Sequence, residues 1–193
     1  MTAKILFLAG SSRKKSTHKY VAQKAHQIAT EHDVEATFID LKDFEMPLYN
    51  GDIEEATGLP ENAIKLKELF IAHDAVFIAS PEYNSGYTPL LKNSLDWISR
   101  PHQENEIPLS AFRNKMAALA AISPGGYGGL RGLVQLRMML GNIMVTVIPQ
   151  QLAIPFSSKV LDEEGNFVDE AQVTALTGIV EALVQATKKH IAV

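Results

Sequence analysis

Apolar positions along the chain fall into two rhythms. Ile5–Ala9 and Ala75–Ala79 are continuous apolar runs, as expected of strands buried on both faces. Lys115–Ile122 and Met144–Ile148 read in the same way, and Val34–Asp40 alternates like a further strand. Between them the spacing lengthens to that of a helix. Thr17 to about Glu31 carries Val21, Ala25 and Ile28 on one face, and Asn62 to about Ala72 follows as a second helix. Pro89 to about Ile98 starts on a proline and presents Leu91, Leu95 and Ile98. Leu130–Leu140 is a fourth helix, and Glu170–Lys189 closes the chain with Val173, Leu176, Val180 and Leu183 facing inward. The segment from Leu41 to Asn62, with Pro47, Gly51, Gly58 and Pro60, reads as a long polar connection of the kind that often carries function. Arg100–Lys115 is a second such connection, a lid or an oligomer arm.

Strands and helices that alternate in this way predict one α/β domain over residues 1–193: a parallel sheet with helices on both faces. Five strands suit the doubly wound, flavodoxin-like three-layer order 2-1-3-4-5. Ligands of such sheets bind beyond the carboxyl ends of the strands, at the switch point between strands 1 and 3. The loops after strands 1, 3 and 4 therefore carry the candidate chemistry.

The first of these loops is Gly10-Ser-Ser-Arg-Lys-Lys-Ser-Thr17. Lys15 and Ser16 stand where a P-loop needs Gly and Lys, and the next glycine after Gly10 is Gly51, so both common nucleotide loops fail. What remains is Ser11, Ser16, Thr17 and Arg13 before a helix N-terminus, which suits a terminal phosphate. The alternative is that Ser16 or Thr17 only caps the helix. In the second loop, Pro81, Glu82, Tyr83 and Asn84 can present backbone amides and one aromatic ring to a flat ligand; a tight turn with a buried tyrosine is the plainer reading. The third loop is "SPGGYGGLRG", Ser123–Gly132, whose glycines imply close backbone approach, positive φ or simple flexibility.

Composition narrows the chemistry. The net charge of −4 gives no support to nucleic-acid binding, and the three bases of the first loop suit a small anion. No cysteine is present, so thiol redox chemistry is excluded and any redox work needs a bound cofactor. His26, His32, His73, His102 and His190 lack metal-ligand spacing. The N-terminal run reads as a first strand and not a signal peptide, no apolar stretch is long enough to span a membrane, and a cytoplasmic protein is expected.

The order of a strand ending in G-S-x-R-x-x-S, one ending in P-E-Y-N with a downstream L-K-N-x-x-D-W, and one ending in G-G-x-G-G-x-R resembles the NADPH-dependent FMN reductases, a family that includes chromate, azo-dye and quinone reductases. The resemblance covers essentially the whole chain. It implies non-covalent FMN, with Ser11, Arg13, Ser16, Thr17 and His18 at the phosphate. Pro81, Glu82, Tyr83 and Asn84 would line the ring and ribityl chain, and Ser123, Gly125, Gly126 and Tyr127 would close the other side. It implies hydride transfer from NADPH or NADH through FMN to a small-molecule acceptor such as a quinone, azo compound, metal oxyanion or free flavin. No side chain is assigned as acid, base or nucleophile. His18, where relatives often carry Asn, is expected to make the phosphate site pH-sensitive, and Tyr87 to reshape the substrate face. A homodimer or homotetramer is expected, partly from Leu90, Trp97, Met138 and Met139 lying outside the inward stripes of their helices. A flavodoxin-type electron carrier and a nucleotide-binding sensor without turnover are the other readings.

Overall fold

The computed structural model describes residues 2–192. The chain runs β1 (Lys4–Ala9), α1 (Thr17–Ala29), β2 (Glu35–Asp40), α2 (Gly51–Thr57), α3 (Glu61–Ala72), β3 (Ala75–Ala79), α4 (Pro89–Ile98), β4 (Lys115–Ile122), α5 (Leu130–Asn142), β5 (Val145–Ile154), α6 (Ser157–Val160) and α7 (Glu170–Ile191). The sheet has five strands in the order β2-β1-β3-β4-β5, and every pairing is parallel. The doubly wound, flavodoxin-like expectation is borne out.

Alternate residues of each strand enter different layers. Ile5, Phe7, Ala9, Phe77 and Ala118 pack under α1 and α7. Leu6, Leu8, Ile78, Leu119 and Ala121 pack under α3, α4 and α5. Both faces are thus apolar, which is why β1 and β3 show no alternation in the sequence. β4 is rich in alanine on both faces, and short side chains there let helices approach the sheet closely.

Two segments differ from expectation. The polar segment after β2 is not structureless: a 3-10 turn at Leu41–Asp43 and the helix α2 lie within it. No residue of α2 is buried, so it lacks the apolar stripe that betrays a helix in sequence. It is fastened by polar contacts instead. The Tyr49 hydroxyl donates to Glu54 (2.7 Å), and Arg100 Nε donates to the same carboxylate (2.8 Å). Asn93 Nδ2 and Trp97 Nε1 both donate to the Pro47 carbonyl (2.9 and 2.8 Å), and Asn93 Oδ1 accepts from Tyr49 N–H (2.7 Å). The asparagine and tryptophan of "LKNSLDW" therefore strap the loop to α4. The Arg100–Lys115 connection is likewise fastened by polar contacts. Buried Lys67 donates to the Arg100 carbonyl (2.5 Å) and pairs with Glu106, which also accepts from His102 N–H (2.8 Å) and Ser110 Oγ (2.5 Å). Burial pushes the Glu106 carboxyl up, but these donors outweigh it and hold it at about 2.

The second difference is β5, which continues to Ile154, well beyond Ile148. Its register against β4 shifts between Val147 and Gln151, and Arg137 reaches over to donate to the Ile148 carbonyl (2.8 Å) and to Gln151 (3.0 Å). Pro149 and the half-exposed glutamines hide this edge strand from a hydrophobic reading. Among the described residues, no helix is long and apolar enough to cross a membrane.

Candidate functional site

The first loop is positioned by its own ends. Gly10 N–H donates to the Ala79 carbonyl (2.9 Å), tying it to the end of β3. Thr88 Oγ1 donates to the Gly10 carbonyl (2.7 Å) while accepting Leu91 N–H at the start of α4 (3.2 Å). Ser16 then takes the N-cap position of α1 in an extended conformation, yet its hydroxyl makes no cap hydrogen bond. By helix geometry the first-turn N–H groups have no carbonyl of their own, so this end can accept an anion. Ser11 Oγ accepts from Arg13 N–H (3.3 Å) and shapes the turn.

His18 is buried beneath this turn. Its Nε2 accepts from Ile122 N–H at the end of β4 (3.2 Å), so the neutral ring carries its proton on Nδ1, 3.5 Å from Thr17 Oγ1. Burial, and then the charge of nearby Arg13, lower its pKa from 6.5 to about 4. His18 is therefore a fixed neutral link between α1 and β4 near neutral pH, and the expected sensitivity there is corrected: protonation belongs to acid.

The second loop is a tight hairpin. Tyr83 and Gly86 exchange two backbone hydrogen bonds (2.8 and 3.0 Å), and Asn84 and Ser85 both have positive φ, 51° and 68°. Tyr83 is 52% exposed, so the buried-tyrosine alternative fails. Glu82 is occupied by the fold. Its Oε1 accepts from Arg131 Nη2 (2.7 Å) and Nε (2.9 Å), and its Oε2 accepts Gly132 N–H at the start of α5 (3.1 Å). Tyr87 packs partly buried against the α3–α5 layer.

The third loop divides in two. Gly128 and Gly129 are buried and have φ of 60° and 87°. A Cβ at Gly128 would lie 2.6 Å from the Ala153 backbone, and one at Gly129 would lie 2.7 Å from Ala121 Cβ. Gly125 and Gly126 are exposed, and a Cβ there would meet only Ser123 Oγ at 3.9 Å and Phe156 Cζ at 3.5 Å respectively. Tyr127 is 69% exposed.

A cleft of about 310 Å³ joins the loops. Ser11, Arg13, Ser16, Thr17 and His18 line one side, and Pro81, Glu82 and Tyr83 another. Ser123 closes it together with Ile122, Pro124 and Ser157, three residues that the sequence does not single out as ligand contacts. Asn84, Gly125, Gly126 and Tyr127 stand outside this lining. Ser157 follows the true end of β5, and its N–H donates to the Ser123 carbonyl (3.0 Å). Placing that strand end correctly would have brought Ser157 forward by the same carboxyl-end rule. A larger cleft, about 450 Å³ between α1 and the turn before α7, contains none of the three loops.

These features fit FMN. The idle Ser16 hydroxyl, Arg13 and the first turn of α1 match a phosphate monoester, and the cleft continues from them between Pro81–Tyr83 and Ser123. A family model described as NADPH-dependent FMN reductase matches residues 3–159. The chain is 34% identical to the NADPH azoreductase of a Bacillus species over 151 residues, 78% of this chain and 76% of that protein. It is 30% identical to the quinone reductase of Escherichia coli K12 over 176 residues, 90% and 89% of the two chains. Among solved structures it resembles FerB, a flavoenzyme NAD(P)H:(acceptor) oxidoreductase from Paracoccus denitrificans, with a TM-score of 0.79, 29% identity and coverage of 98% and 99%. The match across nearly the whole chain, on a fold and three loops of the expected kind, makes it a member of the NADPH-dependent FMN reductase family.

Proposed function

We propose that the protein is an FMN-dependent NAD(P)H oxidoreductase that reduces small-molecule acceptors of the quinone or azo class. The observation that carries the reading is the anion cradle at α1, with Ser16 uncapped and Arg13 at its rim, opening into the cleft between the other two loops. The reaction balances as NAD(P)H, a proton and a quinone giving NAD(P)⁺ and a hydroquinone. FMN held by these loops would supply the redox chemistry that links the nicotinamide donor to the acceptor.

The chain binds and orients. Ser11, Arg13, Ser16 and Thr17 hold the phosphate with the free N–H groups of α1. Neutral His18 offers Nδ1–H to the same anion while Nε2 stays bound to Ile122 N–H. Pro81, Tyr83 and Asn84 flank the ring and ribityl chain, and Glu82 holds that loop against α5. Ser123, Gly125 and Gly126 form the opposing wall. No side chain acts as acid or base, so an acceptor proton comes from solvent at the open mouth.

Leu130, Val134 and Met138 lie along one side of α5 at helical spacing and are 40%, 59% and 64% exposed, a stripe that supports a homodimer or homotetramer. Trp97 is fully buried, so it belongs to the core. A cytoplasmic location agrees with the absence of cysteine.

The test is anaerobic. FMN-loaded protein should lose its flavin absorbance on addition of NADPH and recover it on addition of a naphthoquinone. A protein that binds FMN without being bleached would be a carrier or sensor instead.

A further inference from the structure

An exposed aromatic side chain normally samples several rotamers, and one contact biases Tyr127 toward a single one. The Arg131 guanidinium lies 5.3 Å from the centroid of its ring. Arg131 is itself fixed, because Nη2 and Nε both donate to Glu82 Oε1 at 2.7 and 2.9 Å. The Glu82 side chain is only 10% exposed, and its second oxygen takes Gly132 N–H at 3.1 Å. A connected chain of side chains thus runs outward from Glu82 in the cleft lining: a carboxylate on the second loop, a planar guanidinium on α5, and a phenol ring on the third loop. Tyr83 is the next residue after Glu82 and is also largely exposed. The fold gains little from the Tyr127 ring, since 69% of the residue faces solvent. Biasing such a ring makes sense when something stacks on its uncovered face.

We infer that Tyr127 is a stacking platform for flat aromatic oxidants at the mouth of the cleft, and that Arg131, anchored by Glu82, is its positioning residue. The inference rests on the reading that the cleft holds FMN and turns over. It moves Tyr127 from the flavin wall to the acceptor side. It also ranks acceptors: planar quinones and azo arenes gain from offset stacking, whereas a compact ion has no face to offer. Because Glu82 compensates the charge of Arg131, the platform selects by shape more than by charge.

The experiment compares kcat/KM for 2-methyl-1,4-naphthoquinone and for ferricyanide, with NADPH as donor and FMN saturating. Tyr127→Ala should lower the naphthoquinone-to-ferricyanide ratio about fivefold, within the range measured for aromatic pairs, and chiefly through KM. Tyr127→Phe should restore the ratio, because the ring and not the hydroxyl does the stacking. Arg131→Gln and Glu82→Gln should shift it in the same direction by a smaller factor, again in KM. An unmoved ratio in Tyr127→Ala, an equal fall for both acceptors, or a Phe variant that behaves like Ala would overturn the inference. A parent protein whose FMN is not bleached by NADPH would overturn the functional reading and this inference together. A parent that is bleached, with any of the three results above, would overturn this inference alone.

Discussion

Two pairs of glycines in one loop, three residues apart, answer to different demands. Gly128 and Gly129 are buried, left-handed and pressed against β5 and β4, so the polypeptide itself excludes a side chain. Gly125 and Gly126 are exposed, have no positive φ and would bring a Cβ only into ordinary contact with Ser123 and Phe156, so the chain alone would accept alanine at either. The same division separates two hydroxyls. Thr88 caps α4 and donates to Gly10, whereas Ser16 sits at a cap position and caps nothing. Groups engaged by the fold and groups left over for a ligand lie side by side around the cleft. Residue type does not tell them apart; their partners do.

The largest effect should come from the inner glycines. Gly128→Ala and Gly129→Ala combine a left-handed Cβ with overpacking, together about 2–5 kcal/mol of lost stability. Gly125→Ala and Gly126→Ala should shift stability by no more than about 1 kcal/mol. They should nevertheless weaken FMN about tenfold, or roughly 1.4 kcal/mol. Urea unfolding of the four apo-variants beside FMN titrations checks both halves. Equal stabilities would erase the comparison. Gly165 cannot serve as the neutral control that its polar turn suggests, because its φ is 91° and a Cβ would lie 2.4 Å from the Tyr20 ring.

Acid should expose the next effect. The pKa of His18 is depressed in the folded state, from 6.5 to about 4, so the unfolded chain binds the extra proton first. The stability tied to neutral His18 is complete above pH 6.5 and falls by up to about 3 kcal/mol as pH drops to about 4. Glu106, held at about 2, loses its contribution only at lower pH. Unfolding curves over this range should show the upper step flattened in His18→Gln. A step of the same size in that variant would assign it to another group.

The smallest contrast lies between the hydroxyls. Thr88→Ala removes a cap and a buried hydrogen bond and should cost about 1–2 kcal/mol. Ser16→Ala should leave stability within about 0.5 kcal/mol of the parent while weakening FMN by about 0.5–1.5 kcal/mol. Thermal melts and FMN titrations read the two quantities separately. A Ser16 variant that melts earlier without losing affinity would return that hydroxyl to the fold.

The same distinction governs what could be read from sequence. β3 and β4 stand where the apolar runs place them, because strands buried on both faces carry no competing signal. The second half of β5, beyond Ile148, and the helix α2 carry no such signal, one because it is a bulged edge strand with Pro149 and the other because nothing in it is buried. In the site, the place of the first loop between β1 and α1 is legible in the sequence, but whether Ser16 caps that helix is read only from its partners. Glu82 lines the cleft and also pairs with Arg131, 49 positions away, a distance no local pattern spans. Ser157 was missed because it follows a strand end that was set too early.

The central claim is that the first loop holds the phosphate of FMN. It is tested most directly by titrating FMN and riboflavin into apo-protein and apo-Arg13→Ala. The parent should prefer FMN, and the variant should lose about 1.5–3 kcal/mol of FMN binding, the worth of a hydrogen bond to a charged group. Riboflavin, without the phosphate, should bind both proteins alike. A variant that loses the two ligands equally, or a parent that does not distinguish them, would contradict it.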